Sequence, residues 1–166
     1  MASKASFSPE EWTKVLQSVM MAGIAVTAAE PSGLWGTLKE SMVAGHALLE
    51  AKSDTKSSEL IKAVVADFET SEGRAAARDR LQATLTGSKP GEVKAKAVAA
   101  VRDAAALLDA KVPDEAAAFK AWLRHISQVV AEASAEGGFL GFGGVRVSEA
   151  EKATLAEISG ALGVKG

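Results

Sequence analysis

Apolar residues recur three and four positions apart along most of this chain, the spacing of helices that bury one face. The first such run places Trp12, Val15, Leu16, Val19, Met20 and Ile24 on one stripe. Its start is "SPEE" at Ser8–Glu11: a serine cap, proline at the first helical position and Glu11 as capping-box partner. The pattern predicts a helix from Pro9 to about Glu30, where Pro31 stops it. Towards its end the run turns apolar on all sides, which predicts a central helix.

Further helices follow the same logic. "TLKE" at Thr37–Glu40 is a second capping box and opens a helix to about Lys52, with Leu38, Met42, Gly45 and Leu49 on one face. Leu60, Ile61, Val64, Val65 and Phe68 predict a helix from about Ser58 to Glu69. "TSEGR" is either a break or a short overlap into a fourth helix, roughly Gly73 to Leu85, with Ala77, Leu81 and Leu85 inward. "TGSKPGE" punctuates the chain, and Val93–Ala110 then reads as an alanine-rich helix burying Val98, Val101, Ala105 and Leu108. After "KVPDE" a long helix is expected from about Asp114 to Glu136 through Phe119, Trp122, Leu123, Ile126, Val129 and Val130. "SEAE" at Ser148–Glu151 starts the last helix, which runs to about Leu162 with Gly163 as its terminal cap. The expectation is an all-α fold, a single compact domain over 1–166 with about seven helices and no strand.

Composition narrows the function classes. Lys and Arg (19) nearly balance Asp and Glu (21), so no basic face points to nucleic acid or to an anionic membrane surface. The most apolar window, Val15–Ala29, is interrupted by Gln17 and Ser18 and is too short to span a bilayer. The first residues, "MASKASFSPEEW", do not read as a signal peptide. With no cysteine, disulfides, thiolate zinc sites and cysteine nucleophiles are excluded, and a cytoplasmic location is the expectation. Two histidines and no tyrosine leave a thin acid–base inventory, and no nucleophile motif is present, so the expectation is a non-enzyme. His46 and His125 border apolar faces, which predicts half-buried histidines each making one hydrogen bond.

Two segments repeat a plan. Met21–Ala51 and Ser127–Gly163 each hold a small-residue helix ending in "AE", at Ala29-Glu30 and Ala135-Glu136. Each continues into a glycine-containing aromatic loop, "PSGLWG" or "GGFLGFGGVRV", and then into a capped helix. The pattern predicts two pseudo-equivalent helix–loop–helix units packed about a pseudo-twofold axis. Small residues, among them Ala25, Ala28 and Ala131, would let the helices approach closely.

This arrangement resembles the tellurium-resistance TerB-like bacterial proteins. The resemblance rests on "GIAVTAAEPSG" (Gly23–Gly33), on the stretch from Val129 to Gly163, and on the layout of the intervening "SSELIKAVVADFETSEGRAAARDRLQATL". It covers most of the chain with low identity. It implies a cytoplasmic, stress-associated helical domain with the option of divalent-metal binding through acidic loops. Here the family's Asp-Gly pairs stand as Glu30-Pro31 and Glu136-Gly137, and "FLGFGGVRV" replaces the acidic cluster of the second loop, which weighs against a metal.

Two site expectations follow. Glu30 and Glu136, with Glu40, Glu149 and Glu151 nearby, are candidate ligands for a divalent ion if the two loops meet. The competing reading gives Glu40 and Glu151 to capping boxes. No other cofactor is expected, because the glycine-rich loop matches neither nucleotide-binding pattern and no strand precedes it. Leu34, Trp35, Phe139, Leu140 and Phe142 are apolar loop residues that either plug the bundle ends or contact a protein partner or second copy.

Overall fold

The structure, a computed structural model, describes residues 3–28, 58–136 and 149–164, without the side chains of Thr27, Pro90 and residues 133–136. It is a single all-helical domain with no strand among the described residues. Among the described residues six α-helices follow a short 3-10 turn at Lys4–Ser6: α1 (Pro9–Thr27), α2 (Glu59–Glu69), α3 (Ser71–Leu85), α4 (Pro90–Lys111), α5 (Pro113–Glu136) and α6 (Glu149–Leu162). The helix expected from Thr37 to about Lys52 lies outside the described residues.

Local chemistry sets the boundaries. Ser8 and Glu11 complete a capping box: the Glu11 N–H donates to Ser8 Oγ at 3.2 Å and the Ser8 N–H to Glu11 Oε2 at 2.8 Å. This backbone hydrogen bond from Ser8 is the main reason the Glu11 carboxyl titrates below its ordinary value of 4.5, with Lys111 adding to it. The "TSEGR" ambiguity resolves as a one-residue elbow. Thr70 ends α2 and caps α3, its Oγ1 accepting from the Gly73 N–H at 2.9 Å. Leu60 N–H, in the first turn of α2, donates to Glu115 Oε1 of α5 at 3.0 Å, so a residue distant in sequence satisfies an end group there. Gly87, at φ 76°, turns the chain between α3 and α4. Gly163, at φ 68°, closes α6, with the Val164 N–H donating to Ser159 O at 3.0 Å.

Helix α1 is the central element and packs against α3, α4, α5 and α6. Its expected stripe is inward: Trp12, Val15, Leu16 and Val19 are buried, Met20 and Ile24 half-buried. Met21, Ala22, Ala25 and Val26 are buried too, as the all-round apolar end of this run requires. The α4 face Val98, Val101, Ala105 and Leu108 is buried as read from the spacing. So is the α5 face, except that Val129 is only half-buried. In α3 only Ala77 of the expected trio is fully inward, with Leu81 and Leu85 half-buried at its margin.

Candidate functional site

The sequence places the functional weight on the connectors after α1 and α5, so the geometry of those two helices comes first. They cross near their C-terminal thirds. Ser127 Oγ, fully buried, donates to Ala22 O at 2.8 Å, with Leu123 O at 3.2 Å. Gly23 lies against the Val130 side chain, 3.4 Å from where a Cβ would stand. The repeat that equates Glu30 with Glu136 also equates Met21 with Ser127 and Ile24 with Val130. Each observed contact is therefore between a residue and the immediate neighbour of its own repeat partner.

From this crossing both helices run only a short way. Ala28 and Glu136 stand about 8–14 Å of helix beyond it. The starts of the two connectors are thus tied to one region of the bundle. Glu30, Leu34, Trp35, Phe139, Leu140 and Phe142 themselves lie outside the described residues, as does His46. Glu136 is the final residue of α5, and its side chain is not described.

The remaining acidic residues near the second connector have separate surroundings. Glu149 is exposed and pairs with Lys152 at 3.2 Å. Glu151, expected as a capping-box partner of Ser148, which lies outside the described residues, is only 2% exposed. It lies on the α6 stripe with Leu155, Ile158 and Leu162, all buried, and that spacing was readable in the sequence. Among the described residues no group of three or more His, Asp or Glu side chains is placed to hold a metal ion. His125 is exposed on α5, not half-buried, because its neighbours Trp122 and Ile126 take the inward positions.

A polar seam that pattern reading missed joins α5 to α6. Arg124 Nε donates to Ser159 Oγ at 2.7 Å, and its Nη1 to Gln128 Oε1 at 2.9 Å. Gln128 Nε2 in turn donates to Glu132 Oε1 at 2.8 Å. The i, i+4 spacing of Arg124, Gln128 and Glu132 was the available signal. The seam's Arg124–Ser159 bond ties together the two helices that flank residues 137–148.

A groove of about 550 Å³ lies elsewhere, between α1 and α3, lined by Pro9, Glu10, Thr13, Ala76, Asp79, Arg80, Ala83 and Thr84. Thr13 is about 22 Å of helix from Ala28, so this groove and the connectors occupy different ends of α1. Among the described residues no helix is long and apolar enough to cross a membrane. Neither a protein-family model, nor a curated protein, nor a solved structure matches the chain.

Proposed function

We propose that this chain is a non-enzymatic helical module that works by protein–protein contact, in the first place with a second copy of itself. Its contact surface is the pair of connectors 31–36 and 137–147, with Leu34, Trp35, Phe139, Leu140 and Phe142 as the apolar contacts. One observation carries the reading. The two helices that deliver these connectors are in contact at Ser127–Ala22 and Gly23–Val130, so both aromatic segments start from one region of the fold. Two apolar segments rooted together make a larger contact than either alone, and contiguous apolar surface of that kind serves association. The thin acid–base inventory of the sequence points the same way. A bacterial, cytoplasmic, stress-associated setting is the part of this proposal that rests on the TerB-like resemblance alone. Sedimentation of the wild-type chain and of the Phe139→Ala/Phe142→Ala variant tests the contact, and unchanged assembly in a correctly folded variant refutes it.

A second reading, divalent-ion binding through Glu30 and Glu136, has one observation in its favour. Glu136 ends α5, where unsatisfied helix carbonyls and a carboxylate both attract a cation. Calorimetry with calcium, magnesium, manganese and zinc decides it; no heat and no thermal shift at millimolar ion dismisses it.

A further inference from the structure

Helix α3 differs from the other helices in how it is held. Over its 15 residues only Gly73 and Ala77 are buried, whereas the 11 residues of α2 bury Leu60, Ile61, Val64 and Val65. Glu72, Arg74, Arg78, Asp79 and Gln82 all face solvent. What α3 lacks in apolar contact it replaces with polar contact. Gln17 of α1, 4% exposed, donates from Nε2 to Thr84 Oγ1 at 2.7 Å, and Arg80 Nε donates to Gln17 Oε1 at 3.3 Å. Lys96 of α4 donates to Thr84 O at 3.3 Å and to Ser88 Oγ. Beside these bonds Ala77 enters the core and Leu81 and Leu85 pack at its margin, next to the open groove between α1 and α3.

The two ends of α3 are unlike each other. Its first turn is locked to α2. Thr70 caps it, Arg74 Nη1 donates to Phe68 O and Glu69 O, both at 2.9 Å, and Gly73 sits directly against the Asp67 backbone. Its far end meets the Thr86–Lys89 connector, where Gly87 has a left-handed backbone. The chain thus has a fixed elbow at one end, a glycine turn at the other and a polar seat between them. We infer that Ala75–Leu85 is a releasable strap, which opens as a unit while α1, α4 and α5 stay folded. Opening uncovers Gln17 of α1 and widens the groove that Pro9 and Thr13 line. Water can replace each hydrogen bond of a polar seat, so its release costs far less than separating packed apolar faces.

Native-state hydrogen exchange on the full chain tests this. The amides of Arg78–Leu85 are expected to exchange together, protected about 100-fold less than those of Val98–Leu108, and with a smaller urea dependence. Gln17→Ala removes bonds lost in both the opened and the unfolded chain, so it is expected to speed exchange in all helices by about 10-fold; Ser127→Ala, whose bond to Ala22 O survives opening of the strap, is expected to speed α4 and α5 several-fold while Arg78–Leu85 change less than about 2-fold. Equal protection of α3 and α4 in the wild-type chain overturns the inference. So does a Ser127→Ala variant that speeds Arg78–Leu85 as much as α4 and α5.

Discussion

Gly73→Ala isolates the geometry of the α2–α3 elbow. In an open helical position this change stabilises by about 0.5–1 kcal/mol, because alanine restricts the unfolded chain and favours helix. Here the new methyl would stand 2.1 Å from Asp67 O, 2.7 Å from its carbonyl carbon and 3.1 Å from its Cγ. Ordinary carbon–oxygen contacts are about 3.3 Å or longer, so backbone must move by about 1 Å. The atoms in the way are main chain and cannot rotate aside. Asp67 would move with them, and it accepts from Trp12 Nε1 at 2.8 Å and pairs with Lys4 at 3.3 Å. Overpacking of this kind costs about 1–3 kcal/mol, and weakening a bond to a carboxylate adds to it. The expected net loss is about 2–4 kcal/mol. Gly160→Ala is the matched control: it lies within α6 with nothing inside 4 Å, and should gain about 0.5–1 kcal/mol. Urea unfolding of both variants and wild type reads the two signs. A Gly73→Ala protein as stable as wild type would refute the close approach.

Three further outcomes are expected. Trp12→Phe keeps the ring packing on Phe7 but removes the donor to Asp67, and should cost about 1–2 kcal/mol in urea unfolding. Ser127→Ala removes the hydroxyl that ties α5 to Ala22 O at the crossing, and should cost about 0.5–1.5 kcal/mol. Glu11 has a depressed pKa in the folded state, so its contribution is present above the unfolded value of 4.5 and fades as pH falls through the lower folded value. Glu11→Gln is therefore less stable than wild type near neutral pH, and the gap between their thermal midpoints closes as the pH drops below 4.5.

The helices were legible because their signals are local. The "SPEE" box, the left-handed Gly163 and the inward stripes of α1, α4 and α5 sit where spacing and capping chemistry put them. The first described helix stops at Thr27, a little short of the Pro31 boundary, since proline marks where a helix cannot continue rather than where it ends. Glu151 is buried on the Leu155–Ile158–Leu162 stripe, which its capping-box position alone does not reveal. The Gln17–Thr84 and Arg124–Ser159 bonds join residues far apart in sequence, and no local rule predicts such pairs. Leu81 and Leu85 show the converse: periodicity identifies the apolar face of α3 but not how deeply it sinks. For the candidate site, the repeat in the two ends was the useful signal. The first helices of its two units, α1 and α5, contact each other through Ser127 and Ala22, although every apolar contact residue proposed for the connectors lies beyond the described structure.

The account stands or falls on what Phe139 and Phe142 do. Sedimentation velocity of the wild-type chain and of Phe139→Ala/Phe142→Ala, with circular dichroism to verify equal helix content, tests it directly. The account predicts a wild-type species heavier than the 17.0 kDa monomer and a folded double variant that sediments as the monomer. The same mass for both proteins, whether monomer or oligomer, would contradict it.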